Sequence, residues 1–292
     1  MFFKTKSLIL LVSISLFILT GCQKVFFQPK ETLIYSASVT KYNPKNLIVK
    51  ISDNREIHGW FFKTLHKSPK GTIIFFHGNS NNISYESRKV LFVLEEGYNL
   101  LTFDYGGYGY SEGSPTVDSV LNDSLEFIDK VIDEEITKKS LGITNLDNLI
   151  IHGQSMGGAT VSHVARYCKH KDKFKTLILD STFTSWQQIV REVSRKHLLF
   201  WPWEDLTAII FPDSKAALDN IEHINIENIL IMHSKADRLI DFHHSEEIFE
   251  KANSKNVIFL SDKSSKHARM FENKYIRKAY IDFINESLNY KN

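Results

Sequence analysis

Gly153-Gln154-Ser155-Met156-Gly157-Gly158 sets one serine among three glycines, directly after the apolar run Leu149–His152 and directly before a stretch with helical apolar spacing. A serine at a strand–turn–helix junction has its hydroxyl pushed out of the path of the chain. Gly153 and Gly157 leave room for backbone to approach where a side chain would collide. The helix that follows aims its first N–H groups, and the positive end of its dipole, at the same point. This is the pattern of a nucleophile elbow, and the chemistry it offers is acyl transfer to Ser155. A hydroxyl attacks poorly until a base removes its proton, so a histidine and an orienting acid must come from elsewhere in the chain.

Asp237 closes Met232-His-Ser-Lys-Ala-Asp237, just past the apolar run Ile229–His233, and His267 follows Val257-Ile-Phe-Leu260 through the polar loop Ser261–Lys266. Both residues, like Ser155, fall in loops after strands, so the three can converge despite their separation in sequence. The chain has 12 histidines, and His267 is the one expected to serve as base. His152 and His233 lie within strands, and His170, His197 and His223 fall on exposed stretches. His243 and His244 open a helix, where they are expected to cap it or face solvent. Asp241 and Asp180 are alternative acids. A tetrahedral oxyanion needs two N–H donors, expected from Met156 and from Asn79 in His77-Gly78-Asn79. Losing one such donor typically costs about a hundred- to a thousandfold in rate.

The elements that must hold these residues are legible in outline. Leu47–Ser52 and Ile57–Phe62 alternate as two strands joined by a turn at Asp53-Asn54, and Thr72–Phe76 is a short apolar run suited to a strand buried on both faces. Helical spacing at 85–96 precedes a strand at Tyr98–Phe103 and a longer amphipathic helix at 117–135. Further strands at Leu149–His152, Thr176–Leu179, Ile229–His233 and Asn256–Leu260 alternate with helices at 157–170, from about Phe242, and at 272–288. This alternation predicts an α/β architecture with a mostly parallel, doubly wound sheet and an antiparallel N-terminal edge. The stretch at about 182–215, with Trp186, Trp201, Pro202 and Trp203, reads as a short helical lid over the carboxyl ends of the strands, where ligands bind in such sheets.

The first 22 residues form a separate unit. Lys4 and Lys6 precede an apolar run from Ser7 to Thr20 that stops at Gly21-Cys22, the form of a secretory signal and short for a membrane span. Residues 23–45, with Pro29 and Pro44, read as a tether into a single domain at 46–292. The 292 residues carry a net charge of +2 with acids and bases mixed, which argues against a nucleic-acid partner. No metal-ligand spacing or cofactor loop is present, so neither a metal nor a cofactor is expected. Cys168 is the only cysteine besides Cys22 and reads as a small packed side chain.

Leu19-Thr20-Gly21-Cys22 resembles the lipobox of bacterial lipoproteins, which implies lipidation of Cys22 and an exported, membrane-anchored chain. His77-Gly78-Asn79, Phe103-Asp-Tyr-Gly-Gly-Tyr-Gly-Tyr-Ser-Glu-Gly-Ser-Pro115, Gly153–Gly158, Asp180–Ser185 and Met232–Asp237 together resemble the α/β-hydrolase superfamily over roughly residues 70–290. The order Ser155, Asp237, His267 matches that superfamily. The resemblance implies an α/β-hydrolase fold and a serine hydrolase that cleaves a carboxylic ester, with the aromatic insertion and the anchor pointing to a lipid or acylglycerol as the expected substrate. A peptidase on the same fold and a non-enzymatic lipoprotein are the alternatives. Two departures stand out: Lys266 and Ala268 flank His267 where the family often has Gly before and Asn after it, and Ile240-Asp241 stands where the family often has Pro a few residues past the acid, which keeps Asp241 as an alternative.

Overall fold

The computed structural model describes residues 26–133, 148–196, 205, 208–212 and 214–290. Cys22, the signal-like run and parts of the 182–215 insertion lie outside them. Ten strands are present among the described residues: β1 (Gln28–Pro29), β2 (Lys45–Lys50), β3 (Glu56–Phe62), β4 (Gly71–Phe76), β5 (Ser80–Asn81), β6 (Tyr98–Phe103), β7 (Leu149–Gln154), β8 (Phe174–Asp180), β9 (Asn228–Ser234) and β10 (Asn256–Asp262). Eight of them form one sheet in the order β10-β9-β8-β7-β4-β6-β3-β2. β3 pairs antiparallel with both β2 and β6, and the other pairs are parallel.

Parallel neighbours need a long crossover, and the sequence supplies helices for it. α1 (Ala37–Tyr42) and α2 (Ile83–Glu86) are short. The longer ones are α3 (Val117–Ile132), α4 (Met156–Tyr167), α5 (Trp186–Lys196), α7 (His243–Lys251) and α8 (Lys274–Ser287), with α6 (Ala217–Ile221) a single turn. Side chains two apart in a strand share a face, which divides the apolar runs between two cores. Ile74, Phe76, Ile151, Leu177 and Ile231 join Val120, Phe127 and Val161 on one side of the sheet. Ile73, Phe75, Ile150, Ile178 and Leu230 join Ile276, Tyr280 and Ile284 on the other. Each fully buried side chain of this size contributes about 1.5–3 kcal/mol relative to exposure. The central strands are therefore the most firmly fixed part of the molecule, and it is at their carboxyl ends that the candidate residues stand.

Two expectations are corrected. The helix predicted at 85–96 is instead α2 followed by two tight 3₁₀ turns at Ser87–Lys89 and Leu91–Leu94, closed by bonds such as Val93 N–H to the Val90 carbonyl at 3.1 Å. A three-residue repeat buries Val90, Leu91, Val93 and Leu94 as well as a 3.6-residue one does, so periodicity alone could not separate them. The described part of the predicted tether, residues 26–45, packs on the domain. Phe27, Leu33 and Val39 are buried, and β1 pairs in parallel with β5 through Gln28 beside Ser80 and Pro29 beside Asn81. Phe27 packs against Trp186, with ring centroids 6.4 Å apart. Apolar anchors spaced between charges and prolines were enough to dock a segment that composition alone assigns to solvent.

Candidate active site

Ser155 joins β7 to α4 with φ 56° and ψ −120°, a backbone state that an L-residue adopts only under constraint. The constraint is visible in its hydrogen bonds. The Ser155 N–H donates to the Asp180 carbonyl at 2.8 Å, and its carbonyl accepts from the Thr182 hydroxyl at 2.8 Å and the Gly158 N–H at 2.9 Å. Its hydroxyl caps no helix N–H, so it is left for other work. A Cβ on Gly153 would run into the Gly157 carbonyl, and one on Gly157 would run into the Phe76 carbonyl. Both glycines are thus required by close backbone approach.

The structure brings together Ser155, His267 and Asp237. His267 Nε2 lies 3.1 Å from Ser155 Oγ, and His267 Nδ1 lies 2.7 Å from Asp237 Oδ2. With Nδ1–H donating to the carboxylate, Nε2 is left as the acceptor facing the serine hydroxyl. Asp237 Oδ1 accepts the N–H groups of Leu239 at 2.9 Å and Ile240 at 3.1 Å. Burial alone would raise the pKa of this carboxyl, but hydrogen bonds from His233 and His267 outweigh it and hold the group well below the usual carboxylate range. His267 is carried on the loop after β10, whose turn is tied by the Ser265 N–H donating to Asp262 Oδ1 at 3.2 Å. Ala268 beside it has φ 55°, the left-handed conformation that Asn tolerates better than Ala.

The alternative acids stand elsewhere. Asp241 is half-exposed and pairs with Lys196 at 3.2 Å. Asp180 is buried, accepting from Gln154 Nε2 and from the Ser181 hydroxyl, each at 2.9 Å, and has no contact with His267. His233 was read only as a strand residue, yet its Nε2 lies 3.3 Å from Asp237 Oδ2, while its Nδ1 accepts from Ser245 Oγ at 2.6 Å. Its place four residues before the acid was the available signal. His244, expected to cap or face solvent, is buried and bonded to Glu192 at 2.9 Å and Thr184 at 2.8 Å, which ties α5 to α7.

The Asn79 loop passes close to the serine: a Cβ on Gly78 would stand 3.5 Å from Ser155 Cβ. The Asn79 and Met156 N–H groups have no acceptor among the described residues. The rest of Asn79 is fully engaged. Its amide nitrogen donates to the Phe26 carbonyl at 2.7 Å, and its carbonyl accepts from Tyr108 Oη at 2.7 Å. Behind it, His77 is buried, its carbonyl accepting from Tyr105 Oη at 2.8 Å. The Asp104–Pro115 segment quoted above thus buttresses this loop from below.

These groups open into a cavity of about 1110 Å³. One wall is apolar, built from Phe183, Ile189, Val190, Val193 and Phe211, so the described part of the 182–215 insertion forms the side of the cavity. The exposed part of the lining, at the mouth, carries Arg88, Arg269, Arg277 and Glu272, and the lining also holds half-buried Lys89 and buried Glu86. Each acid already has a cation, Glu86 with Lys89 at 2.6 Å and Glu272 with Arg269 at 3.4 Å. Nothing in the lining gathers the imidazoles or thiolates that a transition metal would take. The Glu192–His243–His244 group has the donor types but lies outside the lining, and Gln188, Thr184 and the carboxylate already satisfy its imidazoles through hydrogen bonds.

A parallel sheet of this order, with a strained serine at the turn between a central strand and its helix, defines an α/β hydrolase. The chain belongs to the serine aminopeptidase S33 family (Hydrolase_4), whose profile it matches over residues 67–224. It is 28% identical over 298 residues to the uncharacterized protein YfhR of Salmonella typhi, covering 94% of this chain and 95% of that one. It is 30% identical over 246 residues to the lysophosphatidylserine lipase ABHD12 of Danio rerio, covering 77% of this chain and 60% of the fish protein. Among solved structures, the Pyrococcus furiosus esterase Pf2001 superposes with a TM-score of 0.67 at 18% identity, covering 90% of this chain and 97% of the esterase.

Proposed function

We propose that the protein is a membrane-anchored serine esterase acting on an apolar acyl ester. The observation that carries this reading is the unbroken hydrogen-bond chain from Ser155 Oγ through His267 to Asp237, at the floor of a largely apolar cavity. Ser155 Oγ bonds to the substrate carbonyl carbon as its proton passes to His267 Nε2. The carbonyl electrons move onto oxygen, where the Asn79 and Met156 N–H groups receive them. The ester C–O bond then breaks, and the leaving alcohol oxygen takes the proton from His267. Water, deprotonated by the same nitrogen, bonds to the acyl carbon; the bond from that carbon to Ser155 Oγ then breaks, and Oγ takes the proton back from His267 as the acid leaves. Throughout, Asp237 keeps the imidazole in the required tautomer and offsets its charge. Val190 and its neighbours receive the acyl chain, and the lipase relative lends weight to a lipid substrate. Lipidation at Cys22 holds the domain at the membrane.

An aminopeptidase is the second reading, favoured by the description of the family. Such an enzyme must hold the α-ammonium of its substrate with free acid groups. Here both acids in the lining are already paired and cations outnumber them. A fluorophosphonate probe should label the wild type and not Ser155→Ala. On p-nitrophenyl esters of graded length, kcat/KM is expected to rise from acetate to medium chains. Equal labelling of the two proteins, or faster cleavage of aminoacyl amides than of any ester, would overturn the esterase reading.

A further inference from the structure

Phe26 and Gln28 are themselves part of the cavity lining, beside Gly78, Asn79 and Ser155. They do not rest there loosely. The β1–β5 pairing holds the strap, the Phe26 carbonyl accepts from Asn79 at 2.7 Å, and the Lys30 carbonyl accepts from Gly109 N–H at 2.9 Å and Asn82 at 2.9 Å. The chain therefore reaches the domain at the mouth of the cavity, and Cys22 is four residues before Phe26. Four residues of fully extended backbone span at most about 14 Å. Whatever holds Cys22 in a bilayer holds the mouth of the cavity within that distance of the lipid surface.

The mouth has the chemistry for such a surface. Arg88 and Arg277 are exposed and have no carboxylate partner among the described residues. Leu239, also in the lining, is exposed to 44%. Anionic headgroups attract basic residues at about 1 kcal/mol each within a Debye length of the surface. An exposed apolar side chain on the same lining suits the interfacial layer. We infer that the mouth of the Ser155 cavity rests against an anionic bilayer surface, so that substrate passes from the membrane into the cavity without crossing bulk water. The inference rests on lipidation at Cys22, and its clause on substrate entry rests also on the esterase reading.

The test uses the full, lipidated chain in vesicles of phosphatidylcholine and phosphatidylglycerol that carry a nitroxide on their headgroups. An environment-sensitive fluorophore is placed on Leu239→Cys or on Tyr167→Cys, Cys168 being buried. Tyr167 is exposed and ends α4, the helix that follows Ser155, roughly 18 Å away from Ser155 by helix rise. Quenching is expected to be severalfold stronger at position 239, and to weaken when salt is raised or when Arg88→Glu and Arg277→Glu are combined. Equal quenching at the two positions, stronger quenching at 167, or a chain that leaves the vesicles would each overturn the inference. Quenching needs no turnover, so its outcome is independent of fluorophosphonate labelling, which tests the hydrolase reading on the same vesicles.

Discussion

At Ser155 stability and reactivity pull in opposite directions. Its φ of 56° and ψ of −120° suit glycine, and a residue held in such a region costs on the order of 1–3 kcal/mol. Ser155→Gly is therefore expected to be inactive yet more stable. After allowing for the looser unfolded chain, the gain is about 1 kcal/mol, seen as a rise of roughly 2–4 °C in Tm. A fall in Tm would mean that the elbow is not strained. Asp237 reaches Ser155 only through His267, so under the proposed mechanism Asp237→Asn should keep the fold and leave KM near wild type while kcat falls by about ten-thousandfold. A loss confined to KM would remove Asp237 from the role proposed for it. Ser155, Met156, Gly153 and Gly157 were legible because glycine spacing reports close backbone approach directly. His233 was not, because its contact with Asp237 depends on the turn at 234–237, which no periodicity encodes.

Among the elements, the strap at Phe26–Lys30 carries the most consequence for its length. Its burial of Phe27 and its hold on Asn79 link fold stability to the orientation of the Asn79 N–H. A chain beginning at Glu31 should lose about 2–3 kcal/mol from the Phe27 site alone. It should also lose about tenfold or more in kcat on a soluble ester, with KM changed less, because a misplaced oxyanion donor weakens the transition state more than the ground state. Steady-state kinetics beside a chain beginning at Gln23 would decide it, and an unchanged kcat would make the strap merely structural. The eight strands of the main sheet are legible in sequence to within a few residues, since each is an apolar run or alternation between turn residues. The strap escaped notice because its two-residue strand is too short to show alternation.

For the whole molecule, acid stability has an identifiable contributor far from the chemistry. Burial, then Lys215 and Arg166, bring the pKa of His163 down to about 4. An unfolded histidine titrates near 6.5, so its stabilising contribution is complete above about pH 6.5 and is lost as pH falls toward the folded value. His163→Gln should flatten the pH dependence of urea midpoints between those limits, and an unchanged slope would exclude this histidine. The fold class was legible from alternation of strands and helices, and the three candidate residues from the glycine-framed serine and the loops that follow strands. Strand order was not, because it depends on which strand each crossover returns beside, and the cavity was not, because its walls come from how the α5 region and the strap pack at the strand ends.

The far end of the described chain offers a contrast. Tyr290 Oη donates to the Lys70 carbonyl at 3.1 Å, next to Gly71 at the start of β4, so the last described residues lie at the amino ends of the parallel strands, across the sheet from the cavity. A purification handle fused ahead of Phe26 would stand in the doorway through which substrate passes. One fused after Tyr290 would sit at the back of the molecule and leave both doorway and bilayer contact clear.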